Sequence, residues 1–189
     1  IEGSYIPLRK NAKKDDMIIV TKTLGDSLAG LEALLELGFD KAKENYPYLV
    51  DRHLRPEPQI ESAIEAVSTN KVNAMMDLSD GLSSDIKKLC SSAGLGAEIY
   101  LDNLPCSESL IKYSQDKAKK AQMYAAQGGE DYELLITCEK ANADEIIELI
   151  KTCGNSASVI GKMTESDKIV LIDSNGSKQN LPDSWSHFE

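Results

Sequence analysis

Cysteine pairs, histidine, aromatics and excess positive charge are all scarce in this sequence, and each shortage removes a class of function. The four cysteines, Cys90, Cys106, Cys138 and Cys153, are far apart with no C-x-x-C pair, and only His53 and His187 are present to join them. No zinc-binding spacing results, and the pattern predicts free thiols in a reducing cytoplasm. Lys and Arg number 21 against 31 Asp and Glu, a net charge of -10, so a broad phosphate-tracking surface for nucleic acid is not expected. No apolar run approaches the roughly 20 residues that span a bilayer, so neither a membrane segment nor a targeting segment is expected. What is present is 189 residues with 41% hydrophobic content, enough for one core-bearing domain.

The first residue is Ile1, and Ile1-Glu2-Gly3-Ser4 is soon followed by the basic polar run Arg9-Lys10-Asn11-Ala12-Lys13-Lys14. This reads as a boundary inside a longer chain, with residues 1–16 an interdomain segment and 181–189 a tail. Beyond it, Met17-Ile18-Ile19-Val20-Thr21 is a β-branched strand, and Gly25-Asp26-Ser27 supplies turn and N-cap chemistry for a helix striped by Leu28, Leu31, Leu34 and Leu35. Residues 41–48 read as a helix ended by Pro47, 55–58 as a linker, and 59–68 as a second helix. A buried strand at 72–76 runs into Asp77-Leu78-Ser79-Asp80-Gly81 and a helix stopped by Gly94. Strands at 97–101 and 132–138, helices at 107–120 and 143–153, and a closing pair of strands at 159–163 and 169–173, expected as a hairpin or as adjacent strands, complete the chain. Without a strict βαβ rhythm, the expected class is α+β: a mixed β-sheet covered by helices.

Two segments carry chemistry. In Asp77-Leu78-Ser79-Asp80-Gly81 two carboxylates three residues apart flank a hydroxyl where a strand ends and a helix begins. Backbone N–H groups there favour anions, and the carboxylates suit a hard cation bridging to phosphate oxygens. The same residues also read as a plain helix cap followed by a turn. In Gly128-Gly129-Glu130-Asp131-Tyr132-Glu133-Leu134 the glycines permit close backbone approach, and strand alternation sets Glu130 and Tyr132 on one face and Asp131 and Glu133 on the other. Glu130 is the better-placed ligand; the competing reading is a β-turn leading into an edge strand with solvated charges. Arg9 is suited to phosphate, or simply solvated. His53-Leu54-Arg55-Pro56 reads as hydrogen bonding that ties a linker down, and Trp185 as an aromatic that docks on the core or on a flat ligand.

Taken together, Asp77-Leu78-Ser79-Asp80-Gly81-Leu82 and Gly128-Gly129-Glu130-Asp131-Tyr132-Glu133-Leu134 resemble the C-terminal domain of thiamine-monophosphate kinases, with supporting matches in the stretch from Thr23-Leu24-Gly25-Asp26-Ser27 to Leu31, in His53-Leu54-Arg55-Pro56 and in Trp185-x-His187-Phe188. That family belongs with the aminoimidazole-ribonucleotide synthetases, selenophosphate synthetases and hydrogenase-maturation proteins, and the resemblance implies their C-terminal fold. It implies transfer of the ATP γ-phosphoryl group to thiamine phosphate, with several Mg²⁺ ions and no general base. Asp77 and Asp80 match metal ligands, Arg9 and Ser79 contacts to ATP, and Glu130 and Trp185 contacts to the thiamine portion, the tail 181–189 closing on the substrate. The family also implies an N-terminal domain carrying further metal ligands and most of a homodimer contact, so the expectation is a chain that folds but is inactive alone. Lys10-Asn11 departs from the small residue and glycine that usually follow the matched arginine. The alternatives are a related ATP-dependent small-molecule kinase or synthetase, and a non-catalytic module that needs a partner chain.

Overall fold

The computed structural model describes residues 5–115, 117 and 119–183. Within them the strands are β1 (Met17–Thr21), β2 (Val72–Leu78), β3 (Gly96–Tyr100), β4 (Glu133–Cys138), β5 (Ala157–Thr164), β6 (Ile169–Ile172) and β7 (Lys178–Asn180). The helices are α1 (Asp26–Leu37), α2 (Phe39–Asn45), α3 (Pro47–Leu54), α4 (Ile60–Ser68), α5 (Leu82–Ala93), α6 (Glu108–Gln115), α7 (Ala121–Gln127) and α8 (Ala143–Thr152). The strands form one sheet in the order β2-β4-β1-β5-β3-β6-β7. Every pairing is antiparallel except that of β3 with β6. This is the mixed α+β sheet expected from the sequence.

Alternation along β1 decides which helices cover which face. Ile18 and Val20 point to the side where Leu82, Ile86 and Leu89 of α5 and Ala125 and Ala126 of α7 pack. Ile19 points to the opposite side, against Ala66 of α4 and Ile146 and Ile150 of α8. A third cluster lies among helices, joining Leu28, Ala29 and Ala33 of α1 to Leu49 and Val50 of α3 and to Tyr113 and Tyr124. Each Leu or Ile fully buried in these layers contributes roughly 1.5–3 kcal/mol.

Four local expectations are corrected. Pro47 begins α3 instead of ending the helix before it, because the first helical position needs no N–H donor and accepts proline's fixed φ. The helix expected over 107–120 stops at Gln115, and a separate helix, α7, follows, burying Ala121, Tyr124, Ala125 and Ala126. The strands β5 and β6 are not neighbours, since β3 lies between them and pairs with both. The short β7 closes the sheet just before the expected tail, at residues for which no strand was expected.

Helices α1 and α3 cross so closely that a Cβ on Gly30 would stand 2.1 Å from the Leu49 carbonyl oxygen. On an open helix surface Gly→Ala stabilises by about 1 kcal/mol. Here Gly30→Ala is expected to destabilise by about 1–3 kcal/mol through overpacking, read as a lower urea midpoint at unchanged slope.

Candidate functional site

Strand β2 delivers Asp77 to the surface, and the turn Ser79-Asp80-Gly81 leads into α5. Against this turn lies the segment before β4: the Glu130 N–H donates to the Ser79 carbonyl at 2.8 Å and the Tyr132 N–H to the Leu78 carbonyl at 3.0 Å. A Cβ on Gly81 would stand 2.5 Å from the Gly128 carbonyl oxygen, so glycine is what lets the two segments touch. Two motifs separated by about fifty residues are thereby one surface. Asp77 and Asp80 are exposed on it, and Ser79, Glu130 and Tyr132 are half-buried. The Tyr132 hydroxyl is raised above its ordinary pKa, first by hydrogen bonding to the Glu130 carboxylate and further by the charges of Glu130, Asp77 and Asp80. Tyr132 belongs to the cluster although sequence reasoning used it only to fix the alternation. Arg9 stands exposed on a 3-10 turn (Arg9–Asn11) that packs against β2 and α5, on a segment whose Pro7 carbonyl accepts from the Met75 N–H at 3.1 Å.

The acids behind this surface are not solvated, and β4 is not an edge strand: it lies between β2 and β1, with Asp131 and Glu133 buried. The Asp131 carboxylate accepts from the Gly25 N–H at 2.6 Å and the Ser27 N–H at 3.1 Å. It therefore caps α1 from more than a hundred residues away, where Asp26 or Ser27 was expected to do so. Asp26 instead accepts from the Thr23 and Ser107 hydroxyls at 2.6 and 2.5 Å. Ser27 Oγ lies 3.0 Å from His53 Nδ1, which agrees with the linker-tying role expected of His53. Arg52, which no motif singled out, donates from Nη2 to Glu133 Oε1 at 2.8 Å and to the Asp131 carbonyl at 3.3 Å. The other Glu133 oxygen accepts from the Thr21 hydroxyl at 2.6 Å. Burial pushes the Asp131 carboxyl up to about 7, against the pull of the two N–H donors. Burial likewise raises Asp26 and Glu133.

Lys88 is a second residue the motifs did not reveal. Its ammonium pairs with Asp80 and, at 2.6 Å, with the buried Asp85, whose carboxylate also accepts from the Asp80 N–H at 3.0 Å. Among the described residues no group of three or more His, Cys, Asp or Glu is placed to hold a metal ion. The donors present are the Asp77 and Asp80 carboxylates, and these fit Mg²⁺, which keeps several waters and takes one or two carboxylates together with phosphate oxygens. Trp185 lies outside the described residues; the Gln127 side chain donates to the Asp183 carbonyl at 3.1 Å, so residue 183 lies one residue's reach from Gly128. Two clefts of about 500 Å³, one lined by Lys22, Tyr48, Arg52 and Arg55 and the other by Asp102, Lys119, Lys120 and Gln127, include none of the expected site residues.

Residues 13–174 match the family described as AIR synthase related protein, C-terminal domain. The whole chain aligns at 36% identity with 57% of a thiamine-monophosphate kinase of Buchnera aphidicola. Among solved structures, a thiamine-monophosphate kinase of Stenotrophomonas maltophilia superposes with a TM-score of 0.80 at 25% identity, over 94% of this chain and 55% of that one. AaThiL complexed with AMPPCP and TMP superposes with a TM-score of 0.75 at 34% identity, over 95% and 53%. The chain spans about half the length of the curated relatives it matches.

Because the folded-state value of Asp131 lies above the unfolded one of about 3.9, its contribution to stability is complete below about pH 4 and is lost as pH rises through about 7. Asp131→Asn removes this titration. Stability measured from pH 4 to 8 is expected to fall less steeply in the variant than in the parent, while both show the same dependence on pH below 3.

Proposed function

We propose, from the premise that this chain belongs to the AIR synthase related protein family as its C-terminal domain, that it forms part of an ATP-dependent kinase converting thiamine phosphate to thiamine diphosphate. The observation that carries the reading is the 2.8 Å hydrogen bond from the Glu130 N–H to the Ser79 carbonyl, which joins the phosphate-type motif to the Gly-Gly-Glu motif. Its substrates are supported by the thiamine-monophosphate kinases among the relatives and by the AMPPCP and TMP bound to a similar protein.

In this reading Arg9 and the Ser79 hydroxyl contact the ATP phosphates. Asp77 and Asp80 would hold Mg²⁺, which when bound offsets phosphate charge and aligns the phosphoryl group with its acceptor. Lys88 offsets part of the charge of Asp80 and Asp85, which lowers the repulsion between the carboxylates of this loop. The attacking oxygen of thiamine phosphate is already anionic. Activation by a general base is therefore unnecessary, and the residues of this chain contribute position and charge. Glu130, oriented by Tyr132, faces the cationic thiamine portion, and Trp185 stacks beside it. The full-length enzyme is proposed to be a cytoplasmic homodimer, and this chain to be inactive without the N-terminal domain, which brings further metal ligands. For localisation the support is that no helix among the described residues is long and apolar enough to cross a membrane.

The test is to supply the full-length protein with ATP, Mg²⁺ and thiamine phosphate and to quantify thiamine diphosphate by chromatography. Product formation is expected, and Asp77→Asn and Asp80→Asn are each expected to lower kcat/KM by roughly 10²–10³-fold, the size of a lost charge-stabilising group. Glu130→Gln is expected to raise KM for thiamine phosphate by about tenfold, the equivalent of one charged hydrogen bond, with KM for ATP unchanged. ADP release that depends on a different acceptor would reassign the substrate.

A further inference from the structure

The geometry points to Arg52 as a positioning residue for this site: without touching substrate, its guanidinium holds the peptide that sets Glu130 and Tyr132 in place. The inference rests on the function proposed above. Glu130 and Tyr132 are both non-glycine residues in the left-handed region, at φ 64 and φ 53. Two such residues, one apart, persist only where the surroundings leave the backbone no alternative. The surroundings are visible on both sides. The peptide unit between Asp131 and Tyr132 has its N–H end bound to the Leu78 carbonyl at 3.0 Å and its C=O end bound to Arg52 Nη2 at 3.3 Å. One plane is thus gripped at both ends, and its orientation fixes the φ of Tyr132.

The same guanidinium nitrogen holds Glu133 Oε1 at 2.8 Å, so Arg52 secures the chain on both sides of Tyr132. Its own position is fixed by α3 and by burial, with only 9% of the residue exposed. Chemistry also selects arginine. The two hydrogens of Nη2 are fixed in the guanidinium plane, so the carbonyl and the carboxylate are held in set directions, whereas a lysine ammonium rotates freely at the end of a flexible stem. Glu130 in turn faces the ligand with its side chain while its N–H holds the Ser79 loop. A rotation of the Asp131–Tyr132 peptide therefore displaces the thiamine contact more than the carboxylate of Asp77, which leaves from β2.

The experiment uses the full-length protein with Arg52→Lys and, in case a buried Glu133 without its partner prevents folding, the double replacement of Arg52→Met with Glu133→Leu, which exchanges the pair for apolar side chains of similar size. Two quantities are read: KM for thiamine phosphate against KM for ATP, and amide hydrogen exchange at Glu130 and Tyr132 against the amides of β3 and β5. Expected are a rise of about 10- to 100-fold in KM for thiamine phosphate, the scale of a small misplacement, a KM for ATP within about twofold, and faster exchange confined to Glu130 and Tyr132. Unchanged exchange at those two amides in a folded variant, or equal losses for both substrates with exchange accelerated across the sheet, overturns the inference. If the parent protein makes no thiamine diphosphate, the functional reading fails, and the exchange data still decide whether Arg52 positions the segment.

Discussion

Three carboxylates and one guanidinium lie behind the candidate site with almost no access to water, and the arrangement around them depends on their pairing, although Arg52 Nε is buried without a hydrogen-bond partner. Asp131 satisfies two N–H groups at the start of α1, Glu133 takes Thr21 and Arg52, and Asp26 takes two hydroxyls. Removing water from such groups costs several kcal/mol each, and mutual attraction returns this only when the geometry is good. Apolar substitutes of the same volume would satisfy the packing. They would not connect the turn at Gly25, the start of β4 and helix α3 through hydrogen bonds. The polar cluster therefore acts as a joint, and specificity of backbone position is what it supplies.

The surface in front of the joint is shaped by short approaches of main chain to main chain. Gly81 against Gly128, and the two N–H donors of Glu130 and Tyr132 on the turn below, leave no room for a side chain between the motifs. The result is a face of loops with the Asp77 and Asp80 carboxylates exposed, while the two clefts described above lie elsewhere among the described residues. Hollow volume marks where side chains fail to fill space. The candidate site lies where backbone packs against backbone too tightly for a side chain to intervene.

Much of this was legible locally. The burial of Asp131 and Glu133 and the greater exposure of Glu130 and Tyr132 match the alternation expected of a strand, although β4 begins only at Glu133 and left-handed backbone at Glu130 and Tyr132 sets the pattern before it; the strand–turn–helix at Asp77–Gly81 follows from β-branching, glycine and apolar spacing. The same local logic could not see that β4 runs between β2 and β1, because the neighbours of a strand are set by remote segments. It assigned the cap of α1 to Asp26 and Ser27, residues of the right kind in the right place, when a carboxylate from the second motif had taken the position. Lys88 was missed for a related reason: its pairing with Asp80 crosses a helix start, and no periodic template connects those two positions. Pro47 shows the opposite case, in which one residue type serves equally well to end a helix and to begin one, and only the following apolar positions, Leu49 and Val50, distinguish the two.

The place of β1 in the sheet carries a consequence for how the chain reaches this state. The first strand of the described sequence sits between β4 and β5, with Val20 opposite Leu135 and Met17 opposite Lys162. Both partners are separated from it by more than a hundred residues, and β2 waits on β4 as well. Such non-local pairing makes for slow folding, since long loops must close before the contacts reward them. During synthesis at about 5–20 residues per second, β1 and β2 are complete for several seconds before any strand exists to cover their edges. The nascent chain therefore presents two unpaired apolar strands in that interval, and the opportunity for association with other chains grows with the time taken to reach β4.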